Sequence, residues 1–102
     1  MNSDINLNAL QENAQIASKL LKLMANPSRL LVLCYLAEKE YSVSELESKL
    51  GLSQSALSQH LALLRREQIV HTRRAAQTIY YSLLSEDVKA LMNTLYERFC
   101  AN

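Results

Sequence analysis

Two cysteines are the residues of this 102-residue chain with the most evident chemistry. Cys34 and Cys100 lie 66 residues apart, so they form no CxxC motif. They can meet only if their helices pack together, and a disulfide needs Cα atoms within about 7 Å. Cys34 lies in an apolar run typical of a buried, inert thiol, whereas Cys100 is expected to be more exposed and to attack first. Packing and thiol sensing are both open interpretations of this pair.

Other chemistry finds little support in the sequence. No serine lies in a glycine-flanked nucleophile elbow, and we find neither paired carboxylates nor a phosphate-binding loop. His60 and His71 have no partners in the sequence around them, and two cysteines alone cannot complete a tetrahedral metal site. We therefore expect no enzyme, no metal and no cofactor.

The basic residues are concentrated in one part of a nearly neutral chain. The net charge is +1, yet residues 53–82 have a net charge of +3, with a single acidic residue, Glu67. A confined basic segment indicates contact with a polyanion, and the alternative is a solvated arginine surface. The basic residues of this segment are Arg65, Arg66, Arg73 and Arg74.

A chain with one glycine and one proline is expected to be mostly helical. Apolar spacings of three and four, together with Asn and Ser capping residues, predict five helices. The third is short, begins at Ser42 or Ser44, and ends at Gly51. The other four predicted helices cover Asn8–Met24, Pro27–Lys39, Ser53–Arg66 and a last segment that Ser85 caps.

Two segments rich in β-branched and aromatic residues follow the fourth helix. Ile69–Arg73 and Thr78–Leu83 predict a hairpin with Arg74–Gln77 near its tip. The third and fourth helices, joined by a tight turn at Gly51, have the helix-turn-helix layout. The predicted fold is mainly α with a small β-hairpin, a winged helix in a single domain over residues 1–102.

The fourth helix has a buried stripe and an opposite face of small or polar residues, which suits entry into the DNA major groove. His60 is the doubtful member of this face, because it lies next to Leu61 and could border the core. A protein-binding winged helix is the alternative. The candidate DNA-reading residues are Gln54, Ser55, Ser58, Gln59 and His60, with Arg65, Arg66, Arg73, Arg74, Gln77 and Arg29 as candidate backbone or minor-groove contacts.

The terminal helices carry more apolar surface than one small core needs. Val88, Leu91, Leu95 and Phe99 form one stripe on the last helix. We therefore predict a homodimer through the first and last helices, with a monomer as the alternative.

The longest apolar run has eight residues, Leu30–Ala37, where a membrane span needs roughly 20. With no signal-type segment found, we expect a soluble, cytoplasmic protein.

The segments LMANPSRLLVLCYL, SVSELESKLGLSQSALSQHLALLRREQIV and RRAAQTIYYSL resemble the ArsR/SmtB winged-helix transcriptional regulators. The stretch LSQSALSQHLALLR is specific, because it contains the turn, the cap and the reading helix. The similarity extends from about Leu20 to Leu83 and includes a matching last helix. It implies a homodimeric bacterial repressor that leaves operator DNA when it senses an inducer.

Within that family the chain is most similar to the HlyU/BigR/SqrR/YgaV branch, which lacks the metal sites and has a cysteine on the second helix and another on the last. Cys34 and Cys100 match those positions, which implies sensing of reactive sulfur species or oxidants. The metal-sensing pattern is broken: Ser42 and Ser44 replace a Cys-x-Cys pair, and Lys89 replaces a histidine on the last helix beside Asp87. The alternative is a redox-insensitive regulator or antirepressor with structural cysteines.

Overall fold

The structure, a computed structural model, describes residues 6–100. The last helix continues directly into a π-helical turn, Tyr96–Cys100. The elements in chain order are α1 (Leu7–Met24), α2 (Pro27–Glu38), β1 (Tyr41–Ser42), α3 (Val43–Leu50), α4 (Gln54–Arg66), β2 (Val70–Ala75), β3 (Thr78–Leu83) and α5 (Glu86–Leu95).

Side-chain caps at the helix starts explain why the predicted boundaries agree closely with those observed. The third helix begins after Ser42 rather than Ser44. The Ser42 hydroxyl accepts a hydrogen bond from the Glu45 N–H at 3.2 Å, and the Glu45 carboxylate accepts one from the Ser42 N–H at 2.9 Å. This capping box satisfies two backbone donors and determines the start of α3. Its end is at Gly51, whose φ of 67° is the left-handed conformation that glycine adopts without strain.

The sheet has three strands rather than the two of the predicted hairpin. Tyr41 and Ser42 form a short strand that pairs with β3, and the strand order is β1-β3-β2. Strand β2 also ends later than predicted, because its pairing with β3 continues to Ala75 opposite Thr78. The tip therefore consists only of Ala76 and Gln77. Pairing β1 with β3 joins the hairpin to the helical part of the fold.

One cluster of buried residues links the helices and the sheet. Helix α2 buries Val32, Leu33 and Leu36, but Leu31 remains 48% exposed. One face of α2 is therefore left uncovered by the rest of the fold and lines a cavity. The cluster comprises Met24, Val32, Leu33, Leu36, Tyr41, Leu46, Leu57, Leu61, Leu64, Ile69, Val70, Leu83, Val88 and Met92.

The chain passes from α4 into β2 through a tight turn without glycine. Gln68 has a left-handed φ of 60°. Its N–H donates to the Arg65 carbonyl at 3.0 Å, and the Ile69 N–H donates to the Leu64 carbonyl at 2.9 Å. These two bonds are the Schellman arrangement that closes helix C-termini, and here they direct the hairpin away from the end of α4.

The terminal helices leave much of their apolar surface exposed. Met24 is the one fully buried residue of α1, whereas Leu7 and Ile16 are 66% and 70% exposed. Val88 on α5 is buried, but Phe99 in the π-helical turn is 73% exposed, so the predicted stripe does not all face the core. No described helix is by itself long and apolar enough to span a bilayer; α1 and α2 meet that test only as a pair, bent by 92°.

Candidate functional site

Helix α4 presents one face to the core and the other to solvent. Leu57, Leu61 and Leu64 are buried and hold the helix against the rest of the domain. The predicted reading residues Gln54, Ser55, Ser58 and Gln59 are all exposed on the opposite face, together with Ala62. Their amide and hydroxyl groups are the types that hydrogen-bond to base edges.

The start of α4 is fixed by local sequence. The Ser53 hydroxyl accepts a hydrogen bond from the Ala56 N–H at 3.1 Å, which orients the first turn. Gly51 closes the preceding helix, so only Leu52 and Ser53 separate it from α4. The rigid turn holds the first-turn residues Gln54 and Ser55 at the exposed end of the helix.

His60 lies at the border between the reading face and the core. It is partly buried, and this desolvation, with a smaller effect from the positive charge of Arg29, lowers the pKa of its imidazole below the ordinary value. The Arg29 Nε donates to the Leu23 carbonyl at 2.7 Å, so Arg29 is fastened where α1 meets α2. The structure therefore places His60 apart from the fully exposed members of the face.

The two arginines at the end of α4 are exposed, as the predicted phosphate contacts require. Arg66 Nε lies 3.7 Å from a Glu67 carboxylate oxygen, whose other oxygen is 3.2 Å from Lys19 Nζ. Within residues 6–100, Arg65 has no ion pair. The contact between Lys19 and Glu67 connects α1 to the end of α4.

The two wing arginines have different surroundings. Arg73 Nε donates to both oxygens of Glu40 at 2.9 and 3.0 Å, and Arg73 Nη2 also bonds to this carboxylate. The guanidinium lies 4.6 Å from the centre of the Tyr80 ring, its partner across the strands. This hydrogen bonding lowers the pKa of Glu40 and raises that of Arg73. The Arg73 guanidinium is therefore already paired with Glu40 within the protein.

Arg74 and Gln77 are the exposed polar residues at the hairpin tip. Successive strand residues face opposite sides of a sheet, so Arg74 faces away from the side on which Arg73 contacts Glu40. Ala76 adopts a positive φ of 57° in the two-residue turn, and Gln77 does not. This sign pattern is that of a type II′ hairpin turn.

The two cysteines meet between α2 and the π-helical turn. Their sulfurs are bonded to each other, and their Cα atoms are 6.0 Å apart. Both residues are partly buried, so the expected difference in exposure between Cys34 and Cys100 is not observed. A cavity of about 750 Å³ borders both cysteines and is otherwise lined mostly by apolar side chains of α2, the end of α5 and the π-helical turn.

The sequence is similar to that of known regulators over nearly its whole length. The family described as bacterial regulatory protein, arsR family, matches residues 26–72. The transcriptional activator HlyU of Vibrio cholerae is 52% identical over 96 residues, which cover 94% of this chain and 89% of HlyU. The chain belongs to the arsR family. Its relatives are DNA-binding transcriptional regulators rather than enzymes.

Solved structures of other arsR-family proteins have the same fold. Reduced HlyU from Vibrio cholerae N16961 has a TM-score of 0.86 and 52% identity, covering 91% of this chain and 98% of that one. The transcriptional repressor BigR from Xylella fastidiosa has a TM-score of 0.86 and 40% identity, covering 93% and 94%. The winged helix-turn-helix prediction is thereby confirmed.

The three residues that replace the expected metal ligands have different surroundings in the structure. Ser42 caps α3 and is buried, and Ser44 lies exposed on the same helix. Lys89 on α5 pairs with Glu86 at 3.2 Å. In the described part of the chain, no three histidine, cysteine or acidic side chains come together as a metal site would require.

Sequence reasoning missed two acidic residues near these sites. Glu40 engages Arg73 across 33 residues, and Glu38 lies beside the cysteines, where it accepts hydrogen bonds from Tyr41 and Tyr96. Neither belongs to a motif, and a charged residue at a helix end has the pattern of an ordinary solvated residue. The one usable signal was the position of Glu38 four residues after Cys34, on the same face of α2.

Proposed function

We propose that this protein binds operator DNA with α4 in the major groove and the hairpin tip on the adjacent backbone or minor groove. The observation that carries the proposal is the exposed polar face of α4, followed directly by a basic hairpin. In this arrangement Gln54, Ser55, Ser58 and Gln59 read bases, with His60 at their edge. The candidate contacts to phosphate are Arg65, Arg66, Arg74 and Gln77. Arg73 and Arg29 are less free to reach phosphate, because their side chains already hydrogen-bond within the protein.

We propose that the DNA-binding form is a homodimer through α1 and α5. Helix α1 exposes Leu7, Leu10, Ile16 and Leu21, a large apolar surface for a protein of this size. A twofold dimer would cover this surface. It would also hold the two α4 helices at a separation that matches DNA half-sites about 34 Å apart. Such a bacterial regulator acts in the cytoplasm, where its DNA is.

We propose that oxidation of Cys34 and Cys100 releases the DNA. The separation of 6.0 Å between their Cα atoms supports this, because it lies within the range that a disulfide can bridge. With a hydropersulfide as inducer, a cysteine thiolate takes the terminal sulfur and a thiol leaves; the second cysteine thiolate then displaces hydrosulfide, forming the disulfide. With a peroxide, the first thiolate attacks one oxygen, the O–O bond breaks, and a sulfenic acid forms as hydroxide or alkoxide leaves. The second thiolate then attacks the sulfenic sulfur and displaces hydroxide, which is released as water.

The bridge would change DNA binding through the helices that it joins. It ties α2 to the end of α5, and α5 belongs to the proposed dimer interface. A shift there would change the distance between the two reading helices, on which simultaneous binding to both half-sites depends. Lys19–Glu67 provides a further contact between an interface helix and the end of α4.

The test compares the reduced protein with protein treated with a persulfide donor or with peroxide. We expect the reduced protein to bind DNA from its own upstream region and the treated protein to lose affinity. Intact mass of the same samples should show a Cys34–Cys100 bridge. Unchanged binding by a fully bridged protein would contradict the switch, and support a regulator whose cysteines have only a structural role.

The different environments of the wing arginines predict different effects on DNA binding. Arg74→Ala should lower affinity and reduce the slope of log K against log salt by about one, the value for one lost phosphate contact. Arg73→Ala is the matched variant and should change the slope less, because Glu40 already occupies its guanidinium. Binding titrations at several salt concentrations measure both. Equal slopes for the wild type and Arg74→Ala would contradict the wing contact.

We propose repression, because a protein that covers an operator excludes polymerase from overlapping promoters. BigR is named a repressor and HlyU an activator. Displacement of another repressor from the DNA would make this chain an antirepressor. Transcription from the bound promoter, with and without a competing DNA-binding protein, distinguishes these two outcomes.

A further inference from the structure

The cavity beside Cys34 and Cys100 has an acidic residue on its rim. Its walls are largely apolar and include Leu31 and Phe99. Glu38 is the one residue with a formal negative charge among the described residues that line it. A reagent that occupies this cavity next to either sulfur is therefore exposed to the charge of this carboxylate.

Hydrogen bonds hold the Glu38 carboxylate in place. The Tyr41 hydroxyl donates to one of its oxygens at 2.5 Å, and the Tyr96 hydroxyl donates to the other at 3.4 Å. Tyr41 is only 2% exposed, so the first bond anchors the carboxylate to the core. Tyr96 belongs to the π-helical turn that ends at Cys100, so the second bond connects the carboxylate to the segment that carries this cysteine.

The surroundings of Glu38 favour its charged form. The hydrogen bond from Tyr41 has the largest effect and lowers the pKa of Glu38. Desolvation, the next in size, raises it, and Tyr96, Lys39 and Lys49 each lower it by less, so that the pKa is lowered on balance. The two lysines lie over aromatic rings: Lys39 Nζ is 5.0 Å from the centre of Tyr41, and Lys49 Nζ is 5.8 Å from it. Neither lysine lines the cavity.

We propose that Glu38 determines the charge specificity of the thiol pair, disfavouring anionic reagents in the cavity and favouring neutral or cationic ones. This inference rests on the proposed thiol chemistry. An effect of Glu38 on the thiols themselves is the same for every reagent, because each reagent meets the same thiolate. The ratio of rates between reagents of different charge therefore isolates the charge selection.

The probes are three small symmetrical disulfides: neutral hydroxyethyl disulfide, anionic dithiodiglycolate and cationic cystamine. In each reaction a cysteine thiolate attacks one probe sulfur, a mixed disulfide forms and one probe thiolate leaves. The second cysteine thiolate then attacks the protein sulfur and releases the other probe thiolate. The protein loses two electrons, the probe gains them, and the thiol protons pass to solvent or to the released thiolates.

The key variant is Glu38→Gln, because glutamine removes the charge and keeps an oxygen that can accept from both tyrosines. We expect it to raise the rate with dithiodiglycolate, relative to hydroxyethyl disulfide, by about two- to fivefold, as for a partly exposed charge. The relative rate with cystamine should fall by a similar factor. Both changes should shrink at high salt, since the site is open to solvent.

Glu47→Gln is the matched control, because Glu47 lies on α3 and does not line the cavity. Unchanged ratios in Glu38→Gln, or equal changes in the control, would overturn the proposal. So would a reduced wild-type protein that reacts with none of the probes. A protein that is bridged with the expected ratios yet keeps its DNA supports the role of Glu38 and contradicts the switch.

Discussion

Cys34→Ser and Cys100→Ser should each leave DNA binding by the reduced protein intact and abolish its loss on oxidation. Neither variant can form the bridge that joins α2 to the π-helical turn. In the wild type, coupling between two sites typically changes affinity about 5- to 150-fold, and that factor should fall to one in both variants. Titrations with persulfide-treated and peroxide-treated protein measure it.

The two serine variants also separate the roles of the cysteines. If Cys100 attacks first, Cys34→Ser should still gain a persulfide or sulfenic acid, and Cys100→Ser should stay unmodified for longer. Ser48→Ala is a suitable control, because it changes a hydroxyl at an exposed position of α3, outside the proposed dimer interface, and keeps both thiols. A Cys100→Ser protein that releases DNA like the wild type would show that the pair is not the sensor.

Leu46→Ala should lower the free energy of unfolding by about 2–5 kcal/mol, the range for deleting a buried leucine side chain. Leu46 is completely buried and is the one fully buried residue of the eight-residue helix α3. Most domains are stable by only about 5–15 kcal/mol, so this loss is large. Helix α3 precedes the reading helix, and its loss of anchoring should also weaken DNA binding.

Urea denaturation of the reduced protein at one fixed concentration measures this change, because dissociation of a dimer would otherwise contribute. The control is Leu84→Ala, at a leucine that is 41% exposed, which should cost less than about 1 kcal/mol. A Leu46→Ala variant as stable as this control would mean that the stability of the fold does not depend on the buried Leu46 side chain. A changed slope with urea would instead indicate a change in the compactness of the unfolded state or a loss of two-state unfolding.

Helix boundaries were predictable because they depend on contacts three or four residues apart. Asn26, Ser53 and Ser85 each cap a helix through the N–H three positions later, and Gly51 ends α3. Such contacts are encoded by neighbouring residues, so the order of helices and the exposed polar face of α4 could be inferred from the sequence. The two-residue strand β1 could not, because its only support is pairing with β3 about forty residues away.

The sequence by itself determined the winged-helix layout, the polar face of α4 and the absence of a thiolate pair at the start of α3. Only the tertiary structure brought Cys34 to Cys100 across 66 residues, and Arg73 to Glu40 across 33. The physical reason is the range of the interactions. Caps and apolar periodicity act within one or two helical turns, whereas these side chains meet only once α2, the sheet and α5 have packed around a common core.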